Sequence, residues 1–279
     1  MNAAQPAIGL RLEGVTFAYP GGVVALREVS LAIAPGQSVA ILGENGAGKT
    51  TLVKHLNGLL RPGQGRVTVG DWDTREHTPA QLAPRVGYVF QNPDDQLFER
   101  TVRAEVAFGP RNLGRSPEEI DADVKAALAQ VGLEELVDRH PYDLHVSQRK
   151  LLALASVLAM RTPVVVLDEP TTGQDVRGVA RIAQVVENLK AEGCTVIAIS
   201  HDVDFGAEHF ARTIVMADGR ITADGPAAEV LAQGDVLAQA AVERPQLARL
   251  AAALGLAGTP LTVEEFIGAL EAARGRRPA

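Results

Sequence analysis

The chain reads as an α/β protein built on an open, mostly parallel sheet, and three features of its 279 residues say so. Apolar runs of strand length alternate with helical patterns from "SVAIL" at Ser38 to "RTIVMAD" at Arg212. Several of these runs, "SVAIL" and "VVVL" among them, are continuous rather than alternating, as strands buried on both faces are. The first run ends in a glycine-rich loop that opens a helix.

Taken in order, "LRLEGVTFAY" and "VSLAIA" partly alternate and predict short strands, and "QSVAILG" is the apolar strand that ends in glycine. A helical pattern runs from about Lys49 to Leu60 and closes at the turn cluster "RPGQG". "RVTVG" and "RVGYVF" predict two more strands, with a loop and a short helix over "DWDTREHTPAQLAP" between them. From about Arg100 to His140 the pattern is helical. Ser116, followed by Pro117 and Glu119, forms a capping box with proline at the first helical position. Strand and helix then alternate through "TPVVVLDE", a helix over about Val176 to Ala191, "CTVIAIS", a short helix and "RTIVMAD". After Gly225 the composition shifts to Ala/Leu/Gln-rich helices. These are "AAEVLAQG", "ERPQLARLAAALG" and "EEFIGALEAARG", the last capped by Thr262 with Glu265, and the final "RGRRPA" is expected to fray.

Composition narrows the function. Aromatics make up 4% of the chain, so aliphatic side chains must fill the core, and a net charge of −7 offers no electrostatic case for nucleic acid as a partner. The single cysteine, Cys194, excludes an internal disulfide framework and is expected to be a buried free thiol at a strand start. The N-terminal stretch lacks the basic and apolar regions of a signal peptide. The longest apolar run, "LLALASVLAM", falls well short of the ~18 residues a bilayer span needs. The expectation is a cytoplasmic location, with any membrane role exercised through a partner.

Gly43-Glu44-Asn45-Gly46-Ala47-Gly48-Lys49-Thr50 fits G-x-x-x-x-G-K-[ST] at every fixed position. Its glycines let successive backbone N–H groups turn toward a phosphate, and the following helix adds partial positive charge. Lys49 is expected to bridge the β- and γ-phosphates of a nucleotide, and Thr50 to hold Mg²⁺, with Thr51 next in the loop's helix. The competing reading is a glycine-rich turn with an accidental lysine; the strand before and helix after argue against it. About 120 residues on, "VVVLDE" ends a buried strand in Asp168 and Glu169. An aspartate there takes part in holding Mg²⁺ in phosphate-loop NTPases. Glu169 is placed to polarise water for in-line attack. Two acids at an exposed strand end would read the same way if they stood alone.

With these motifs the chain resembles an ATP-binding cassette ATPase over about residues 10–225. The resemblance implies a phosphate-loop nucleotide-binding domain: a mostly parallel core sheet, an antiparallel β subdomain and an α-helical subdomain at about 92–160. The domain would span residues 8–225, and residues 226–279 would form a C-terminal helical segment for dimerisation or regulation. It also implies roles for single residues. Gln91 in "VFQNPDDQLF" resembles the glutamine that contacts Mg²⁺ and the attacking water, and His201 in "VIAISHD" resembles the switch histidine at the γ-phosphate. Asp175 in "TTGQD" matches the aspartate of the loop that meets the partner, and Tyr19 in "VTFAYPGG" matches the aromatic that stacks on adenine. "QNPDDQLF" followed by "TVRAEVAFGPRNLG" is similar to the ATPase subunits of energy-coupling factor transporters, which import vitamins and transition-metal ions such as cobalt or nickel. That likeness implies a transmembrane coupling subunit docking near Gln91, a substrate-binding membrane subunit, and a peripheral position on the inner face of the cell membrane.

The family's Leu-Ser-Gly-Gly-Gln signature is altered here to Leu144-His145-Val146-Ser147-Gln148. In the family two subunits face head to tail, and the signature of one completes the ATP site of the other. His145 replaces the serine and the β-branched Val146 replaces the first glycine. A lost hydrogen bond to a charged group costs about 1.5–3 kcal/mol, about ten- to 150-fold. Ser147 is expected to serve as helix N-cap. The asymmetry favours a heterodimer, in which a second ATPase with a regular signature completes this chain's site; a homodimer would carry two weakened sites. Rival readings are a non-transport member of the superfamily, a weakly hydrolysing regulatory subunit, and the ATPase of an ordinary binding-protein-dependent importer.

Overall fold

The computed structural model describes residues 8–275. The chain opens with β1 (Leu10–Ala18), β2 (Val24–Ile33) and β3 (Ser38–Leu42), then α1 (Lys49–Lys54), β4 (Gln64–Val69) and β5 (Trp72–Asp73). Next come α2 (Pro79–Leu82), β6 (Val86–Val89), α3 (Val102–Asn112), α4 (Pro117–Val131) and α5 (Val146–Leu158). The alternation resumes with β7 (Val164–Asp168), α6 (Val176–Ala191), β8 (Thr195–Ile199), α7 (Val203–His209), β9 (Arg212–Ala217) and β10 (Arg220–Pro226). Four helices follow: α8 (Ala227–Ala232), α9 (Gly234–Gln239), α10 (Gln246–Ala253) and α11 (Val263–Gly275).

Two sheets organise these elements. One is antiparallel, in the order β2-β1-β4-β5. The other has the order β10-β9-β3-β8-β7-β6, parallel from β9 through β6, with β10 antiparallel on its edge. The period of two along each central strand divides its side chains between two cores. Val39 and Ile41 of β3, Val164 and Val166 of β7, and Ile197 and Ile199 of β8 face the antiparallel sheet and α1. Their neighbours Ala40 and Leu42, Val165 and Leu167, and Val196 and Ala198 face the helices. Burial on both sides is why these strands read as unbroken apolar runs.

The helical layer begins with α3, capped by the Thr101 hydroxyl, and α4, whose Ser116/Glu119 capping box forms with both of its hydrogen bonds. α3, α4 and α5 pack on one another through Val106, Val124, Leu128, Leu152 and Ala155. After β10 the chain stays attached to the same core, where Val230, Leu231, Leu237 and Ala240 are buried.

Several expectations need correction. The first helix ends at Lys54 rather than near Leu60: Gly58 turns into left-handed backbone at φ 73°, and Asn57 Oδ1 accepts from Leu59 N–H at 3.1 Å. β5, β10 and α9 had no clear sequence signal. β10 carries "ITADGP", whose turn residues mask a strand that forms by pairing with the edge of β9. Cys194 is half-buried, one residue before β8, with Sγ 3.8 Å from Thr162 O. Of the final "RGRRPA" expected to fray, Arg274 and Gly275 still belong to α11, and positions 276–279 lie outside the described residues. No helix among the described residues is long and apolar enough to cross a membrane.

Candidate active site

Open parallel sheets bind ligands in the crevice beyond the carboxyl ends of their strands. Four neighbouring strands meet there: β3 runs into Gly43, β6 into Gln91, β7 ends at Asp168 and β8 runs into His201. The topology thus gathers residues separated by more than a hundred positions.

The loop after β3 owes its shape to glycine. Gly43 has φ 151° and a Cβ there would lie 2.3 Å from Met216 O; Gly48 has φ 99° and a Cβ there would lie 2.5 Å from Ala25 O. Both positions are closed to side chains, so the loop threads between β2 and β9 with its backbone facing the crevice. Ala47 O accepts from Gly219 N–H at 3.1 Å, and Glu44 N–H donates to Ala240 O at 3.1 Å, tying the loop to the chain after β9 and to the end of α9. Lys49 is buried, and its Nζ donates to Gly43 O at 2.6 Å and Glu44 O at 2.9 Å. Burial holds this ammonium below the ordinary lysine range, against the pull of Glu169, Asp168 and Glu44.

The acidic pair comes from the end of β7. Asp168 Oδ1 accepts from the Thr50 hydroxyl at 3.2 Å, and its Oδ2 accepts from the Tyr88 hydroxyl at 2.7 Å. Burial and the adjacent Asp168 push the Tyr88 phenol well above its usual range, so it remains a donor. Sequence reasoning missed Tyr88: in "RVGYVF" it reads as one more core residue of β6. Glu169 is buried in left-handed backbone at φ 51°, a conformation uncommon for a residue with a Cβ. Its Oε2 lies 2.7 Å from His201 Nδ1 and accepts from His201 N–H at 3.2 Å.

Other candidates lie around this centre. Gln91, Asn45, Thr172 and His201 line a common cleft of about 610 Å³, which Val242 and Arg244 of the C-terminal segment also border. Gly46 takes left-handed backbone at φ 89° in the same loop. The Tyr19 hydroxyl lies 3.0 Å from Thr51 Oγ1, its ring packs edge-on to Phe17 at 5.0 Å, and the residue is 38% exposed. Asp175 caps α6, its Oδ1 accepting from Gly178 N–H at 2.7 Å.

The altered signature opens α5, and here the expected cap is wrong. His145, not Ser147, is the N-cap residue; Ser147 is the second helical residue. The imidazole does not cap the helix; instead Gln148 Oε1 accepts from His145 N–H at 3.1 Å. The register of α5 is set by its buried Leu151, Leu152 and Leu154, which overrides the local capping preference of serine. Val146 is 54% exposed, facing away from this chain's own core.

This constellation has relatives. A protein-family model described as "ABC transporter" matches residues 26–172. The cobalt import ATP-binding protein CbiO of Rhodobacter capsulatus is 44% identical over 245 residues, covering 87% of this chain and 87% of that protein. The energy-coupling factor transporter ATP-binding protein EcfA of Methanothermobacter thermautotrophicus is 39% identical over 263 residues, 92% of this chain and 84% of that one. Among solved structures, CbiO1 of Clostridium perfringens, part of the ABC transporter complex CbiONQ, superimposes with a TM-score of 0.73 at 34% identity, covering 88% of this chain and 98% of that chain. On fold, motif geometry and relatives together, the chain belongs to the ABC transporter ATPases, as a cassette that binds ATP.

Proposed function

We propose that this chain is the ATP-hydrolysing subunit of a membrane importer of the energy-coupling factor type, taking up a transition-metal ion or a vitamin. One observation carries the reading: Lys49, Thr50, Asp168, Glu169 and His201 converge at the carboxyl ends of adjacent parallel strands. Glu169 orients the attacking water, and His201, already hydrogen-bonded to it, fixes the carboxylate and reaches toward the γ-phosphate. The backbone from Gly43 to Thr51, including Glu44, Asn45, Gly46 and Ala47, wraps the phosphates. Lys49 exchanges its two loop carbonyls for phosphate oxygens, Tyr19 takes the adenine, and Gln91 stands at the water.

The residues present fit Mg²⁺. A hydroxyl and a carboxylate oxygen converge at Thr50 and Asp168, with Gln91 bordering the cleft, and no group of three or more His, Cys, Asp and Glu forms a closed metal cage among the described residues. Mg²⁺ is held in this sparse way, by one or two side chains together with phosphate and water. Bound there, it would neutralise charge on the β- and γ-phosphates.

For partners, the reading assigns a second ATPase subunit, a transmembrane coupling subunit and a substrate-binding membrane subunit, which together hold the chain on the inner face of the membrane. The coupling subunit docks near Gln91, at the groove lined by the neighbouring Phe90, where Phe98 and Phe108 stack edge-on at 4.7 Å and stay exposed together with Leu59. Residues 8–225 act as the ATPase domain, with residues 92–160 as its helical part, and 226–279 as the pairing segment. Leu250, Leu254, Val263 and Ile267 supply exposed apolar surface there. His145 and Val146 favour a heterodimer. The decisive test is Glu169→Gln, expected to leave ATP binding within a few-fold of wild type while hydrolysis at this chain's site is lost; wild-type-like hydrolysis at that site would overturn the assignment.

A further inference from the structure

Lys150 lies in the first turns of α5, the helix opened by the altered signature, yet its side chain leaves that helix altogether. Nζ donates to Glu169 O at 2.9 Å and to Thr172 O at 2.7 Å. A second bond joins the same two elements, from Gln174 Nε2 to Ser147 O at 3.1 Å. The helix that faces a partner is therefore latched to the loop that carries this chain's own acidic residue.

The latch meets Glu169 where its backbone is least free to choose. The residue sits at φ 51°, and its N–H is tied to Ile199 O at 2.9 Å. The Lys150 ammonium grips the carbonyl of the same residue, so both ends of Glu169 are held before its carboxylate meets His201. The turn from Glu169 to Thr172 is closed by a long hydrogen bond, Thr172 N–H to Glu169 O at 3.4 Å, and the ammonium braces it by binding both carbonyls. An ammonium offers this position three donors and no acceptor. Burial lowers its pKa, against the pull of the Glu169 and Asp168 charges, and strengthens its bonds to the two carbonyls.

We propose that Lys150 is a positioning residue for Glu169, coupling the seating of the signature helix on a nucleotide held by the partner to the alignment of the carboxylate that orients water in this chain's own site. The proposal rests on the assignment of Glu169 above. Movement of the start of α5 by a partner nucleotide is passed through one side chain to the peptide of Glu169, about one and a half helical turns away from the signature residues. Each chain would then sense the occupancy of the other's site before hydrolysing its own ATP.

The test uses the full chain assembled with its partner ATPase. Lys150→Met keeps the length and removes the donors; Lys150→Arg keeps donors and charge. The expected result for the methionine variant is a fall in kcat of at least about tenfold with KM for ATP and the affinity for a fluorescent ATP analogue within about twofold of wild type. Hydrogen–deuterium exchange of the amides from Glu169 to Gln174 should rise in parallel, and the arginine variant should recover most of the loss in both readouts. A kcat within twofold of wild type, or a kcat and affinity that fall together, would overturn the proposal, as would unchanged exchange across residues 169–174. Failure of the Glu169 reading is recognised separately, because Glu169→Gln would then retain turnover whatever Lys150→Met does. If the methionine variant does not fold, as judged by its thermal melt, the arginine variant decides: near-normal kcat and exchange support positioning, and a tenfold loss despite retained donors overturns it.

Discussion

At the end of β7, Asp168 and Glu169 are 2% and 5% exposed, and each carboxylate accepts two hydrogen bonds from this chain. At the start of α5, Val146 is 54% exposed, and the His145 side chain caps nothing. The first region is assembled in the single chain; under the proposed function, the second is finished only against another. Preorganised dipoles in a dry site are the largest source of catalytic stabilisation, and they demand burial and fixed partners. A residue offered to a neighbour has no such support and contributes little to its own fold. Natural substitutions at His145 and Val146 therefore leave the cassette's architecture intact while changing what it presents across an interface.

The contrast breaks most sharply at the phosphate loop. Gly48→Ala places a Cβ 2.5 Å from Ala25 O on backbone at φ 99°, where neither the backbone contact nor the dihedral can yield cheaply. A displacement of about 1 Å at such a site costs on the order of 100-fold. Steady-state ATPase rates should show a loss of turnover on that scale. Near-wild-type turnover would mean that the nucleotide-facing half is less rigid than its bonding implies.

Restoring the family's serine and glycine tests the other half. The double change His145→Ser with Val146→Gly supplies a hydroxyl and opens the backbone at the N-terminus of α5. It should raise hydrolysis at the partner's site by about ten- to 150-fold, the equivalent of one hydrogen bond to a charged group. Steady-state ATPase rates of the assembled pair, with Glu169→Gln used to silence this chain's own site, isolate the effect. In a homodimer of the repaired chain both sites should accelerate. No change in rate would remove His145 and Val146 as the source of asymmetry.

How far each half was legible in the sequence follows from the same physics. The run from Gly43 to Thr50 could be read because the turn tolerates only glycine at Gly43 and Gly48, and because its chemistry needs a lysine and a hydroxyl at fixed offsets. The central strands were legible because burial on both faces leaves no polar positions. Tyr88 and Lys150 were not. Their bonds to Asp168 and to Glu169 cross 80 and 19 residues, and no local pattern distinguishes a core tyrosine or a helix lysine from one that reaches across the fold. The cap of α5 was misread for a related reason. Serine is the better local cap, but the buried leucines fix the helix register and leave Ser147 inside. β10 escaped notice because "ADGP" is turn chemistry in isolation and a strand only beside β9.

A substitution remote from both halves should change stability and leave turnover alone, and Asp73 provides it. Its carboxylate is buried in the antiparallel sheet region and accepts from Arg75 Nη2 at 2.7 Å and Arg66 Nε at 2.9 Å. The Arg75 side-chain hydrogen bond is the chief cause of a pKa held at about 2, below the ordinary 3.8; burial opposes it, and the Arg75 backbone N–H and Arg66 assist. A depressed folded-state value means that the stabilisation is fully present above about pH 4 and is lost as pH falls through about 2. At 1.36 kcal/mol per pKa unit the contribution is up to about 2 kcal/mol, less whatever the half-exposed guanidiniums lose to solvent screening. Asp73→Asn should therefore lower stability in denaturant at pH 7 by about 1–2 kcal/mol and flatten the stability profile between pH 4 and about pH 2. Its ATPase rate at pH 7 should match wild type, since Asp73 touches neither the phosphate loop nor α5. A variant that kept its stability but lost turnover would show that the antiparallel sheet communicates with the site, and the division between a self-assembled half and a partner-completed half would have to include it.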